Sequence, residues 1–166
     1  VADSSTYVLD ANVFIEAARR YYAFDLAPRF WEILISHAEQ GRIRSIDRVK
    51  KELERGNDEL ACWAKEEFTQ SFVSTNNGEI MGSYADIMTW VQNHNQFSDA
   101  AKADFAGGAD GWLTAYARVE GCVIVTHEVP APDVKRKVPI PNVCQQFNVP
   151  FVDTFGMLRK LGVRFE

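Results

Sequence analysis

The chain has 166 residues and a mass of 18.8 kDa, with 46% hydrophobic and 25% charged residues, a composition that excludes a disordered chain and fits one domain, residues 1–166, able to bury a core. Its 18 basic and 23 acidic residues leave a net charge of −5, which argues against a general nucleic-acid binder held by overall charge. No apolar run approaches the ~20 residues needed to cross a bilayer, so no membrane association is expected.

Val1 to Thr6 is short and polar, without the basic and apolar regions of a secretory signal. Tyr7-Val8-Leu9 leads directly into Asp10-Ala11-Asn12, which predicts a buried strand with a polar residue at its C-terminal end. Pro28 predicts a helix start and Gly41 its stop. Within it Phe30, Trp31, Leu34, Ile35 and Ala38 share one face, roughly 140° wide at 100° per residue. Ser45 is placed to cap a second helix running to about Arg55, with Gly56 after it. Ile80, Tyr84, Ile87, Met88 and Val91 mark another amphipathic helix. Gly107-Gly108 breaks the pattern before a helix near Asp110 that ends at Gly121. Cys122-Val123-Ile124-Val125-Thr126 is apolar without alternation, the mark of a strand buried on both faces. Residues 127–141 hold four prolines and predict a loop. Pro150 to Val152 predicts a last short strand, followed by a helix through Leu161.

Strands separated by helices predict an α/β domain with a mainly parallel sheet. Ligands of such sheets bind beyond the carboxyl ends of the strands, where Asp10 and Thr126-His127-Glu128 both fall. Cys62, Cys122 and Cys144 are odd in number and far apart, with no CxxC. They read as small apolar fillers in a reducing, cytoplasmic setting rather than as a disulfide framework or zinc site.

Charge is unevenly distributed. Residues 1–55 hold nine basic and nine acidic residues, residues 56–134 hold three and twelve, and residues 135–166 hold six and two. That is a neutral, then strongly acidic, then basic progression, consistent either with ordinary solvated surface or with an acidic pocket flanked by a basic strip. Asp10 at a buried strand end needs a hydrogen bond or a cation; it or Asn12 could equally cap the following helix. Glu52 sits at the border of the apolar stripe Ile46, Val49 and Leu53, whereas Asp47 and Glu54 turn toward solvent. Glu52 can point into a cleft or pair with Arg48 at i,i−4. Arg48, Lys51 and Arg55 lie on the outer side beside it, as phosphate-backbone binding would require. Asp110, in the first turn of its helix, has a helix-dipole explanation. Asp99 and Asp104 compete with it from a more exposed segment, and Glu128 alone is a loop acid. Asp10, Glu52, Asp110 and Glu128 together form a hard-oxygen set suited to Mg²⁺ or Mn²⁺ rather than zinc. His37 and His94 read as structural or exposed, and so does His127 in the main, with contact to the site as its lesser alternative. No Gly-rich phosphate loop, GxSxG or HExxH is present.

Four segments, Tyr7-Val-Leu-Asp-Ala-Asn-Val-Phe-Ile15, Asp47-Arg-Val-Lys-Lys-Glu-Leu53, Ala109-Asp-Gly-Trp-Leu-Thr-Ala-Tyr-Ala117 and Val123-Ile-Val-Thr-His-Glu128, resemble the PIN domain in order and spacing over nearly the whole chain. Pro139-Ile-Pro-Asn-Val-Cys144 and Val152-Asp-Thr-Phe155 look more like a little-characterised PIN-like branch. The resemblance implies a three-layer α/β/α sandwich around a mainly parallel sheet. It also implies a metal-dependent ribonuclease, often the toxin of a toxin–antitoxin pair of the VapC kind and often a homodimer. Carried over by position, Asp10, Glu52 and Asp110 match the first three acids, Asn12 a supporting polar residue and Thr126 the hydroxyl of the fourth strand. Glu128 departs from the more usual Asp. With Asp10 and Asp110 as central ligands and Glu52 and Glu128 completing the shell, water activated there would attack phosphorus in line. The products would carry a 5′-phosphate and a 3′-hydroxyl. Lys135-Arg136-Lys137 is expected to contact RNA phosphates or an acidic antitoxin segment. Glu128 is preferred as fourth carboxylate over Asp133, beyond two prolines, and Asp153, on another strand. The alternatives are a catalytically weak PIN-like RNA-binding or protein-interaction module, and a phosphatase of the haloacid-dehalogenase type. The latter needs a second Asp where Asn12 stands.

Overall fold

Residues 4–165 of a computed structural model are described; the expectation for the first residues of the chain therefore lies largely outside them. Five short strands form one sheet in the order β3-β2-β1-β4-β5, every ladder parallel. They are β1 (Tyr7–Leu9), β2 (Ile43–Ile46), β3 (Phe72–Val73), β4 (Val123–Val125) and β5 (Phe151–Val152). The central β1 is apolar throughout and wholly buried, because helices cover a parallel sheet on both faces. Tyr7 stands opposite Ile43 and Val123, and Leu9 opposite Val125. This register brings the carboxyl ends of β1 and β4 side by side.

The flanking helices are α1 (Ala11–Glu16), continued by a π-helical turn over Ala17–Tyr21, α2 (Pro28–Glu39), α3 (Asp47–Glu54), α4 (Glu59–Glu66), α5 (Gly78–Asn93), α6 (Asp99–Gly107), α7 (Asp110–Glu120), α8 (Ile140–Phe147) and α9 (Thr154–Lys160). The α/β architecture with a parallel sheet is as expected. So are α2, α5, α7, β4 and β5, and Gly121 closes α7 in the left-handed region at φ +69°. Phe14 of α1 is fully buried, its ring 5.9 Å from that of Trp63, 5.7 Å from Phe68 and 6.0 Å from Phe72. This aromatic cluster locks α1, and with it the β1–α1 junction, onto α4 and β3.

Several expectations are corrected. Ser45 does not cap a helix. It lies inside β2, and its buried hydroxyl donates to the Leu9 carbonyl at 2.6 Å, tying β2 to the end of β1. The helix starts two residues later, after Ile46, without a side-chain cap. Asp47 is not turned to solvent: its carboxylate accepts from the Thr75 amide at 3.2 Å and the Thr75 hydroxyl at 2.9 Å. The expected loop over residues 127–141 ends early, because α8 begins at Ile140 with a proline in its first turn. Cys122 and Cys144 are buried, but Cys62 is exposed and fills no core space.

Candidate functional site

Asp10 follows β1, its amide donating to the Val125 carbonyl at 3.0 Å. It occupies the N-cap position of α1 but makes no capping hydrogen bond with its side chain. The carboxylate is only 2% exposed. Its Oδ2 accepts from the Thr126 hydroxyl at 3.1 Å, and the same hydroxyl oxygen accepts from the Glu128 amide at 3.1 Å. Thr126 thus fixes both the side chain of Asp10 and the backbone that carries Glu128.

Asp110 is the first residue of α7. Glu52, near the end of α3, reaches across so that its Oε1 accepts from the Ala109 amide at 3.0 Å, immediately before Asp110. Glu128 Oε1 accepts from the Ile140 amide at 3.0 Å. Its Oε2 is buried without a hydrogen bond, and Lys137 Nζ stands 3.3 Å from it.

The four acids feel one another. Burial pushes the Asp10 carboxyl well above its ordinary value; the charges of Asp110 and Glu128 add to this, and the Thr126 hydroxyl and Asn12 amide oppose it. Burial likewise raises Asp110 to about 7, with Glu128 and Glu52 adding and Lys137 opposing. Groups held this way retain protons or require a cation. Among the described residues, no three His, Cys, Asp or Glu side chains are placed so that they could hold one ion as they stand. Glu52 and Glu128 are instead turned onto the backbone amides that lead into α7 and α8.

Thr126→Val is expected to destabilise the protein by about 1–3 kcal/mol, since it removes the donor to a buried carboxylate and orphans the Glu128 amide. Urea denaturation of the two proteins checks this; equal midpoints would deny Thr126 its joining role.

A match to a family model described as "Domain of unknown function (DUF4411)" spans residues 7–165. The chain belongs to the DUF4411 family. No curated protein matches its sequence significantly. Solved structures resemble this DUF4411 chain more broadly. They include FitAcB from Neisseria gonorrhoeae (TM-score 0.54, 14% identity, 88% of this chain and 96% of that one). VapBC2 from Rickettsia felis, bound to a DNA fragment from their promoter, gives a TM-score of 0.53 at 13% identity, covering 89% and 98%. FitAB bound to an IR36 DNA fragment gives 0.54 at 14% identity, covering 97% and 99%. At these identities the likeness establishes the fold, which is PIN-like.

The basic residues of the DUF4411 chain behave unequally. Arg48 is no free outer residue: its guanidinium lies 3.8 Å over the Trp112 ring and its Nε donates to Thr75 Oγ1 at 3.2 Å, in place of the anticipated pair with Glu52. Trp112 in turn stacks on Tyr84 at 3.8 Å. Lys51 and Arg55 are exposed. Lys135 is exposed, and its carbonyl accepts from the Ser98 amide at the start of α6. Arg136 and Lys137 line a cavity of about 220 Å³ together with Asp104, Phe105, Asp110 and Val138.

The Asn12 side chain is exposed, and its backbone amide, rather than the side chain, acts on Asp10. His127 turns away toward α9, its Nε2 3.0 Å from the Thr154 hydroxyl. Asp153 caps α9, accepting from the Gly156 amide at 2.7 Å, and Asp133 is exposed. The ion pair between Lys137 and Glu128 is not legible in the sequence. The prolines flanking Ile140 mark the start of α8, whose Ile140 amide holds Glu128 Oε1, but no local signal points to Lys137.

Proposed function

We propose that this DUF4411 protein is a Mg²⁺- or Mn²⁺-dependent endoribonuclease acting as the toxin of a toxin–antitoxin pair. One observation carries the reading. Asp10 is buried and Asp110 partly buried, they repel each other and Glu128, and they lie at the carboxyl-end side of the parallel sheet, while Glu128 Oε2 is buried without a hydrogen bond. A set of hard oxygens with unsatisfied negative charge fits a divalent ion. Asp10 and Asp110 would hold it, with Glu52 and Glu128 completing the shell directly or through water. When bound, such an ion activates water for attack on a phosphodiester and stabilises charge on the phosphate.

The chain's own residues do the rest. Thr126 holds the Asp10 carboxylate in one orientation. Glu52, fixed on the Ala109 amide, keeps the start of α7 and therefore Asp110 against the cluster. Lys51, Arg55, Lys135 and Arg136 are exposed cations suited to RNA phosphates. The PIN-like fold supports the toxin role and an antitoxin as protein partner.

A second reading, a binding module without cleavage, draws on a different observation: one oxygen of Glu52 and one of Glu128 are already held by backbone amides, and among the described residues no three acids are placed to hold one ion. One experiment separates the two. Purified protein should cleave single-stranded RNA in Mg²⁺ or Mn²⁺, leaving 5′-phosphates, and stop on addition of chelator. Equal cleavage in chelator would remove the metal mechanism, and RNA binding without cleavage would favour the module.

A further inference from the structure

The two oxygens of Glu128 are served very differently. Oε1 is held by the Ile140 amide at 3.0 Å, in the first turn of α8. Oε2 is buried and accepts no hydrogen bond; the Lys137 ammonium stands 3.3 Å from it. The first partner cannot leave without unwinding a helix start. The second sits on a loop between Pro132 and Pro139, with a side chain 54% exposed against 14% for Glu128. Lys137 also lines the cavity that reaches Asp110, and its charge acts on that carboxylate. A single ammonium therefore stands on the Asp110–Glu128 side of a cluster of four acids.

We propose that Lys137 is an internal stand-in for the divalent ion. It neutralises the Asp110–Glu128 side in ion-free protein and swings into solvent when an ion binds, which frees its ammonium for an RNA phosphate. The inference rests on the metal reading above. The exchange is physically easy. An ion pair with a half-exposed lysine is worth only about 0–1 kcal/mol, whereas a divalent ion brings twice the charge without freezing a long side chain. Because the Ile140 amide keeps Glu128 in place, the carboxylate stays aimed at the cluster after Lys137 departs. Metal loading and RNA capture are thereby coupled through one residue. Lys135, whose carbonyl is anchored to α6, and Arg136, on the cavity rim, keep their places.

The test uses Mn²⁺ alone as probe, titrated into the full chain at low ionic strength and read from the electron paramagnetic resonance of the free ion. Lys137→Met keeps the aliphatic stem and removes the charge; it should bind Mn²⁺ up to about fivefold more tightly than wild type. Lys137→Arg keeps the charge and should match wild type. In a Glu128→Gln background the gain from Lys137→Met should largely vanish. Wild-type binding with equal or weaker affinity in Lys137→Met overturns the stand-in role and leaves the metal reading in place. Absence of Mn²⁺ binding in both proteins overturns the metal reading and this inference with it.

Discussion

Asp10→Asn is expected to lower metal-dependent RNA cleavage by at least about 10³-fold without unfolding the protein. In the proposed site Asp10 would be a central anionic ligand, whose loss would remove several kcal/mol of charge stabilisation, and each 1.36 kcal/mol is a factor of about ten in rate. The fold should survive because Asn is nearly isosteric and its carbonyl oxygen can still accept from the Thr126 hydroxyl, the contact that orients Asp10. It should even gain stability, since the carboxylate it replaces is 2% exposed and repelled by Asp110 and Glu128. Asp110→Asn should lose activity to a similar extent. Glu128→Gln should lose less, because one of its oxygens is committed to the Ile140 amide. Single-turnover cleavage rates beside thermal midpoints measure both halves of the expectation. A variant that is inactive because it has melted, or one that is as active as wild type, would contradict it.

The second large effect concerns pH. Asp110 titrates at about 7 in the folded protein against an ordinary value of 3.8, chiefly because it is buried and then because Glu128 and Glu52 repel it. A carboxyl whose folded pKa is raised is protonated in both states at low pH and contributes no penalty there. Between about 4 and about 7 the unfolded chain loses its proton while the folded one keeps it, so stability falls with rising pH. Above about 7 the full penalty is in place, a few kcal/mol at about 1.4 kcal/mol per pH unit. Asp10 is shifted in the same direction by the same cause. The stability advantage of Asp110→Asn over wild type should therefore grow from pH 5 to pH 8 in ion-free buffer. Adding Mn²⁺ at pH 8 should raise the wild-type midpoint and leave the variant nearly unmoved. Urea denaturation at three pH values, with and without the ion, provides the comparison. A pH-independent difference would show that Asp110 is not held against its charge.

These expectations concern acids that the sequence already singled out, and the reason is physical. Tyr7-Val8-Leu9 and Val123-Ile124-Val125 are continuous apolar runs, which only a doubly covered strand explains, and each ends in a polar residue. The end of a buried strand is a fixed point, so Asp10 and Thr126 could be located without a structure. What could not be read locally depended on partners distant in sequence. Ile43-Arg44-Ser45-Ile46 is a strand because it pairs with β1 on one side and β3 on the other; alone, Ser45 has the look of a helix cap. Asp47 and Arg48 look like solvent-facing charges until Thr75 and Trp112 fold over them. Lys137 reads as one cation in a basic run, and only the turn into α8 carries it to Glu128.

We propose that Asp10 and Asp110 are the heart of a divalent-ion site. Anomalous diffraction from crystals grown with Mn²⁺ tests this directly, because it locates the ion without reference to activity. A manganese peak is expected within coordination distance of the Asp10 and Asp110 carboxylates, about 2.0–2.3 Å by the usual distances for small hard cations. The peak should be lost in Asp10→Asn. Well-ordered carboxylates with no manganese between them at millimolar Mn²⁺, or manganese bound only elsewhere on the molecule, would contradict it.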